Sequence, residues 1–457
     1  MKYPKYPAYK DSGVEWIGEI PEHWHTVRLK FLCQLCADYG ANIKSEYYSE
    51  SGVRFIRITD INEDGTIVPD GVFVPDYLVK EKMLKNGDLL FARSGSVGTS
   101  YIHDQNDSSL YSFAGYLVRF RVKDGNFAKF IYFFSKSQSY YDQIQALSIE
   151  STIQNFNGEK FSNMYLPIVD PAEQIIIAKF IDNKTSKIET IISNLQKMIE
   201  LLKEKRQAII THAVTKGLDP NVPTKDSGIE WIGEIPEHWK LIRLKSISRI
   251  LFSNVDKHSS EDERPVHLAN YTDVYKNHII TNNMEFMEAT ASVNEIRKFK
   301  LNVGDVLVTK DSETADDIAI PAIVRGTIPN LLCGYHLAMI RPDTRWLESD
   351  FLFYTYSNKR FRGKYESEAN GITRFGLSQD SFNETYICLP NKEEQVIISS
   401  FLATQTSKID LLASKQQKMI ELLKEYRSSL INQAVTGKID VQNIKINEIS
   451  GSNKYHG

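Results

Sequence analysis

The sequence predicts an α/β protein: two mixed α/β domains in tandem duplication, joined by two long helices that pair as a coiled coil. Three observations lead there. First, the chain is written twice. Residues 10–30 (KDSGVEWIGEIPEHWHTVRLK) match residues 225–245 (KDSGIEWIGEIPEHWKLIRLK) at 17 of 21 positions. A second pair of 43-residue segments, starting at Glu173 and Glu394, matches at 24 positions and shares the uninterrupted QKMIELLKE. Second, these later segments carry heptads. Third, the diverged middles mix strand and helix patterns and keep common landmarks: Gly87-Asp88-Leu89-Leu90 against Gly304-Asp305-Val306-Leu307, and Leu117 to Arg121 against Leu337 to Arg341. Offsets of 215 and 221 residues mark a duplicated domain, not a solenoid.

Composition sets the outer bounds. The 457 residues suit two to four domains at roughly 100–200 residues each. Hydrophobic residues at 42% and charged residues at 25% match a globular chain and exclude a fibre or a disordered tail. No apolar run approaches the ~18 residues of a membrane span. The residues after Met1 lack a signal-peptide core, so a cytoplasmic protein without membrane contact is expected. Lys and Arg number 55 against 58 Asp and Glu, a net charge of −3. That excludes a highly basic nucleic-acid coat protein, but a neutral body can still carry a basic patch. Four cysteines are too few for a disulfide scaffold.

In chain order, Val53, Phe55 and the run FIRITDI read as a strand, and VRFRV (118–122) alternates as another. Phe127, Phe130, Ile131, Phe134, Tyr141, Ile144 and Leu147 recur at helical spacing. In copy two, Phe351, Tyr354, Thr355, Asn358 and Phe361 do the same. A short helix is expected near Glu173 and near Glu394. A longer one should follow from Ser186 and from Ser407, the first opening as a capping box. Ile188, Leu195, Leu202 and Ile209 then recur every seven residues, with Ile191 and Met198 between them. Ile409, Gln416, Leu423 and Leu430 do likewise, with Leu412 and Met419. That is a heptad seam, interrupted once at Gln416.

Candidate chemistry fades on inspection. Cys33 and Cys36 have CxxC spacing, but no second pair completes a zinc site, and their counterparts are Ser248 and Leu251. Ser94-Gly95-Ser96-Val97-Gly98 lacks the Lys-Ser/Thr of a P-loop. Asp182-Asn183-Lys184 has the D-x-K spacing of some nucleases, but copy two reads Ala403-Thr404-Gln405. His23 recurs as His238 without a repeated nucleophile, which favours packing in the EIPEHW turn. No amino-methyltransferase motif is present. The expectation is a chain without catalytic residues, bound metal or cofactor. The aromatic cluster holding Trp16 and Trp24 recurs with Trp231 and Trp239. It reads either as a brace on each domain or as a patch gripping one partner twice.

Together the YKDSGVEWIGEIPEHW opening, the LP…EQ approach to each helix and the QKMIELLKE…AVT helix end closely resemble the specificity subunits of type I restriction-modification systems, over residues 1–440. The resemblance implies two target recognition domains, each reading one part of a split double-stranded DNA site, held apart by helices that pair antiparallel. It implies two methylation subunits, which bind S-adenosylmethionine, and restriction subunits, which use ATP and magnesium. It implies no catalysis by this chain. On this reading residues 1–170 form the first target recognition domain and 171–217 the first helical spacer. Residues 218–390 and 391–440 repeat the pattern, and 441–457 are a tail. A helix from Ser186 to about Ala213 would span roughly 40 Å at 1.5 Å per residue, near the ~34–36 Å of one DNA turn. Base readout falls to polar residues on the diverged loops. Arg93, Ser94 and Ser96 follow the GDLLF strand, and Lys310 and Ser312 follow GDVLV. Thr152, Gln154 and Asn155 occupy the loop matching Thr373 and Arg374, and Lys257 lies in a polar loop of copy two. If the repeated aromatic cluster is the patch that grips one partner twice, its partner contacts are Trp16, Trp24, Trp231 and Trp239. A duplicated adaptor that reads no DNA is the rival.

Overall fold

Each copy is organised by a buried aspartate at the start of its GD strand. In copy one, strand Asp88–Ala92 sits between Leu117–Val122 and Ser100–Ile102, and Cys33–Tyr39 completes an antiparallel four-stranded sheet. The alternation read in VRFRV is real. Val118, Phe120 and Val122 enter the core, while Arg119 and Arg121 turn to the other face. There Arg121 forks onto Asp88 at 2.6 and 2.7 Å. In copy two, Arg341 forks onto Asp305 at 2.7 and 2.6 Å. Hydrogen bonding to its aspartate raises each guanidinium above its usual pKa. The copy-two sheet has five strands in the order Ser248–Phe252, Leu337–Pro342, Val306–Thr309, Pro321–Val324, Ile279–Ile280. A smaller three-stranded sheet accompanies each: Phe73–Val74, Val53–Ile56 and Tyr111–Phe113 in copy one, and Met287–Ala291, Arg264–Ala269 and Leu331–Cys333 in copy two.

This computed structural model describes residues 3–62, 64–105, 108–123, 125–149, 156–230 and 232–444. It divides into two compact units. Unit 1 joins Met1–Leu195 to Lys418–Gly457, and unit 2 is Gln196–Gln417. Each unit therefore holds one sheet domain and half of each long helix.

The helices correct the sequence reading in two ways. They are continuous, Pro171–Lys216 and Lys392–Val435, 46 and 44 residues long. Ser186 opens nothing. No proline or glycine interrupts residues 172–216, and mid-helix hydroxyls bond backward, Thr185 to the Asp182 carbonyl and Thr190 to the Ser186 carbonyl. At 1.5 Å per residue the first helix is roughly 70 Å long, not 40.

The second correction concerns the face. Ile188 and Ile192 are buried, as are Ile409 and Ile420, whereas Ile191, Met198, Leu412 and Met419 are about half exposed. The seam's second row runs one residue later than expected. Within unit 1, Ile177 and Ile181 of the first helix share a core with Leu430, Ile431 and Ala434 of the second, and Glu189 pairs with Arg427. Within unit 2, Ile210 and Ala213 share a core with Ile398 and Leu402, and Arg206 meets Asp410 at 3.0 Å. In both units the start of one helix packs on the end of the other, so the pairing is antiparallel. Gly217 and Gly437 end the helices at φ +77° and +70°, the left-handed cap that glycine adopts without strain.

Candidate nucleic-acid interface

The repeated segments build a brace beneath each reader. Trp24 and Trp239 are fully buried. Trp24 meets Phe130 edge to face at 6.3 Å, and Trp239 meets Phe351 at 6.4 Å. The Trp24 indole N–H donates to Glu173 Oε1 at 3.2 Å, and that of Trp239 donates to Glu394 Oε1 at 3.0 Å. His23 and His238 each place Nε2 3.0 Å from the other carboxylate oxygen. EHW and the EQ of the helix start are thus repeated together because they bond to each other. In unit 1 the Tyr6 hydroxyl also donates to Glu173, at 2.6 Å. Burial, reinforced by that carboxylate, pushes the Tyr6 phenol well above its usual range and keeps it a donor.

This settles the choice left open for two of the four tryptophans. Trp24 and Trp239 are internal braces with no surface to offer a partner. Trp16 is half-buried, and its indole nitrogen has no hydrogen-bond partner among the described residues. Trp231 lies outside the described residues. Cys33, Cys333 and Cys388 are buried and Cys36 is half-buried. Burial pushes the Cys388 thiol up to about 12. Among the described residues no group of three or more His, Cys, Asp or Glu side chains gathers as metal ligands.

Above the brace the two units share a backbone frame and fill it differently. Arg93 ends the GD strand of unit 1. Its N–H donates to the Tyr116 carbonyl at 3.0 Å, and its carbonyl accepts from Phe156 at 2.9 Å. Lys310 ends the GD strand of unit 2. Its N–H donates to the His336 carbonyl at 3.1 Å, and its carbonyl accepts from Leu377 at 2.9 Å. Each cation then lies against aromatic rings. Arg93 is 5.1 Å from the centre of Tyr39, and Lys310 is 4.5 Å from Tyr335 and 5.3 Å from Phe252. Partial burial lowers the Lys310 ammonium from its ordinary value. The two units thus place a guanidinium in one copy and an ammonium in the other at one backbone position.

Around Lys310, unit 2 adds a charged cluster. Asp311 accepts His336 Nδ1 at 2.9 Å and meets Arg374 at 2.7 Å. Arg374 and Thr373 are exposed on the turn that crosses Asp311 and Ser312, and Tyr335 lies exposed beside His336. Lys310, Thr373 and Arg374 are therefore brought together. Ser312 is not available: it is buried, with its hydroxyl 3.4 Å from that of Tyr271. Lys257 is exposed in a loop anchored elsewhere, where Ser260 N–H donates to Thr290 Oγ1 on the small sheet. In unit 1, Ser94 is half-buried and Ser96 exposed beside Arg93, while Thr152, Gln154 and Asn155 lie outside the described residues. The sequence reading passed over Tyr39, Tyr116, Asp311, Tyr335 and His336. Exposed aromatics next to strand ends are the signal that could have found them.

The comparisons agree with this duplicated geometry. The family described as Type I restriction modification DNA specificity domain matches twice, at residues 21–204 and 236–422. The EcoKI type I specificity subunit of Escherichia coli K12 is 23% identical over 445 residues, covering 93% of this chain and 91% of its own. The StySPI specificity subunit of Salmonella potsdam is 25% identical over 440 residues, covering 93% and 91%. Two solved chains share the fold at 15% identity. One, from work on the assembly and conformational transition of the type I R-M system, superposes with a TM-score of 0.67 over 91% of this chain and 98% of its own. The other, the HsdS subunit of Thermoanaerobacter tengcongensis, does so at 0.51 over 92% and 98%.

Proposed function

The chain belongs to the type I restriction-modification DNA specificity family, and on that premise we propose that it is the non-catalytic subunit that chooses the DNA site for a methylating and restricting complex. Unit 1 reads one half of a split site and unit 2 reads the other. The observation that carries this is the frame shared by Arg93 and Lys310: one backbone position, the same two main-chain bonds, and a different cation in each unit. A scaffold kept constant under a varied polar surface suits two readers of different sequence. Arg93, Lys310, Thr373 and Arg374 are the residues we assign to DNA. Chain-wide charge is nearly neutral, so phosphate contacts, which normally carry much of the affinity, fall in part to the partners.

The partners are two methylation subunits, which hold S-adenosylmethionine, and restriction subunits, which hold ATP and magnesium. Met198 and Leu201 on the first long helix and their counterparts Met419 and Leu422 on the second remain about half exposed. Two equivalent apolar stretches provide for two identical partners. Among the described residues no helix is long and apolar enough to cross a membrane.

The test is to sequence methylated adenines in cells expressing the chain with its methylation subunits. Replacing residues 31–165 with those of another specificity subunit should change one half of the methylated site and leave the other intact. Lys310→Ala and Arg374→Ala should relax the second half by about 1–3 kcal/mol per lost base contact. Uniform weakening on all DNA would mark a phosphate contact instead. Binding without any sequence preference would favour the adaptor.

A further inference from the structure

Ile372 is 99% exposed, so the fold of unit 2 gains almost nothing from it. Its position is nonetheless fixed. Asn370 and Gly376 exchange backbone hydrogen bonds at 3.1 and 2.9 Å, closing the turn at its base. Phe375 and Gly376 pair antiparallel with Ser312 and Asp311. Gly371 sits at φ +155°, and a Cβ there would lie 1.9 Å from the Arg374 carbonyl oxygen, so no other residue fits. The turn thus holds an aliphatic side chain out in water, with Thr373 and Arg374 following it and Asp311 holding Arg374 at 2.7 Å.

Resting on the reading that unit 2 recognises duplex DNA, we propose that Ile372 packs against the C5 methyl group of a thymine in the major groove of the half-site that unit 2 reads. Three consecutive side chains, aliphatic, hydroxyl and guanidinium, correspond to the features that major-groove edges present: the thymine methyl, mixed donors and acceptors, and the guanine O6/N7 pair. A two-stranded ribbon fits that groove, and the methyl group is displayed only there. An apolar wedge would act from the minor groove by unstacking bases. Arg374, two residues away on the same turn and tethered by Asp311, places the tip with the base-edge readers instead.

The experiment begins with the methylated site mapped in cells for the full chain with its methylation subunits. Binding of that complex is then measured on duplexes in which each thymine of the second half-site is replaced singly by deoxyuridine, which removes only the methyl group. One replacement should weaken binding about fourfold, the effect of burying one methylene-sized group. Ile372→Ala should weaken binding to the normal site by a similar or larger factor and become indifferent to that replacement. Its thermal melting should stay unchanged, because the side chain supports nothing in the fold. The proposal is overturned if no single deoxyuridine weakens the wild type, if the variant stays equally sensitive, or if 2-aminopurine in the duplex reports unstacking that Ile372→Ala abolishes. Failure of the underlying reading looks different: no specific methylated site would be mapped at all.

Discussion

Glu173 and Glu394 begin equivalent helices and accept the same Trp and His donors, yet one is sealed and the other is open. The Glu173 side chain is 6% exposed and that of Glu394 is 26% exposed. One difference between the two sites is Tyr6. Tyr6 lies over Glu173 and donates to it at 2.6 Å, whereas the matching position in copy two is Asn221. The comparison teaches that the duplicated brace is kept by bonds between segments 150 residues apart, while its cover can drift. Around Arg93 and Lys310 the pattern is reversed: their backbone contacts persist while the ring neighbours differ, Tyr39 against Phe252 and Tyr335.

The largest expected effect tests whether burial matters to the brace. Glu173→Ala leaves the buried Tyr6 and Trp24 donors and the half-exposed His23 without their acceptor, and should cost about 2–6 kcal/mol at about 1–3 kcal/mol for each buried donor left unsatisfied. Glu394→Ala should cost roughly half, because only one buried donor, Trp239, loses its acceptor there. Urea-dependent hydrogen exchange, which reports the units separately, measures both. Equal losses would erase the distinction between the units.

Next, the helix faces can be separated. Ile192 is buried in unit 1, while its counterpart in unit 2 is Ala413. Ile192→Ala should destabilise unit 1 by about 3 kcal/mol. Met198→Ala should change the stability of the isolated chain by no more than about 0.5 kcal/mol, and should instead impair assembly with methylation subunits. Urea denaturation and co-purification read the two effects. A large stability loss at Met198 would return the seam to the face first read from the heptads.

A third effect is a pH dependence that Lys136 gives to unit 1. Burial lowers the Lys136 ammonium to about 8, where the counterpart in unit 2 is Ser357. Between about pH 8 and the ordinary lysine value of 10.5, the unfolded chain binds more protons than the folded one, so stability rises with pH across that window. Below it both states are protonated and the full burial cost applies. The difference in urea midpoint between wild type and Lys136→Ser should therefore shift in favour of the wild type from pH 8 to 10.5. Parallel curves would show that the ammonium is not buried.

The duplication, the alternating strand at 118–122 and the pairing of two long helices were all legible in the sequence, because each is a periodic or repeated pattern. The inward face was not. Ile191 adjoins Ile192, Met198 adjoins Ile199 and Leu201 adjoins Leu202, so two apolar rows compete, and only the partner helix decides between them. The start at Ser186 failed for a related reason: a capping sequence has no force when the preceding turns already pack, here through Ile177 and Ile181. The candidate interface was half legible. Lys310 and Arg374 follow from their neighbours in the repeat, whereas the burial of Ser312 comes from the pairing of its short strand with residues 375–376. Ile372 was passed over because an apolar residue in a polar loop carries no motif.

Unit 1 is made of the first 195 residues and the last 40, and unit 2 is contiguous. A ribosome therefore delivers the two out of order. Unit 2 is complete once Gln417 has emerged, but Ile177 and Ile181 must wait for Leu430, Ile431 and Ala434. At roughly 5–20 residues per second that wait lasts on the order of 10–50 s. During it the first helix shows its apolar side to the cell, and the part of the protein made first is the last to close.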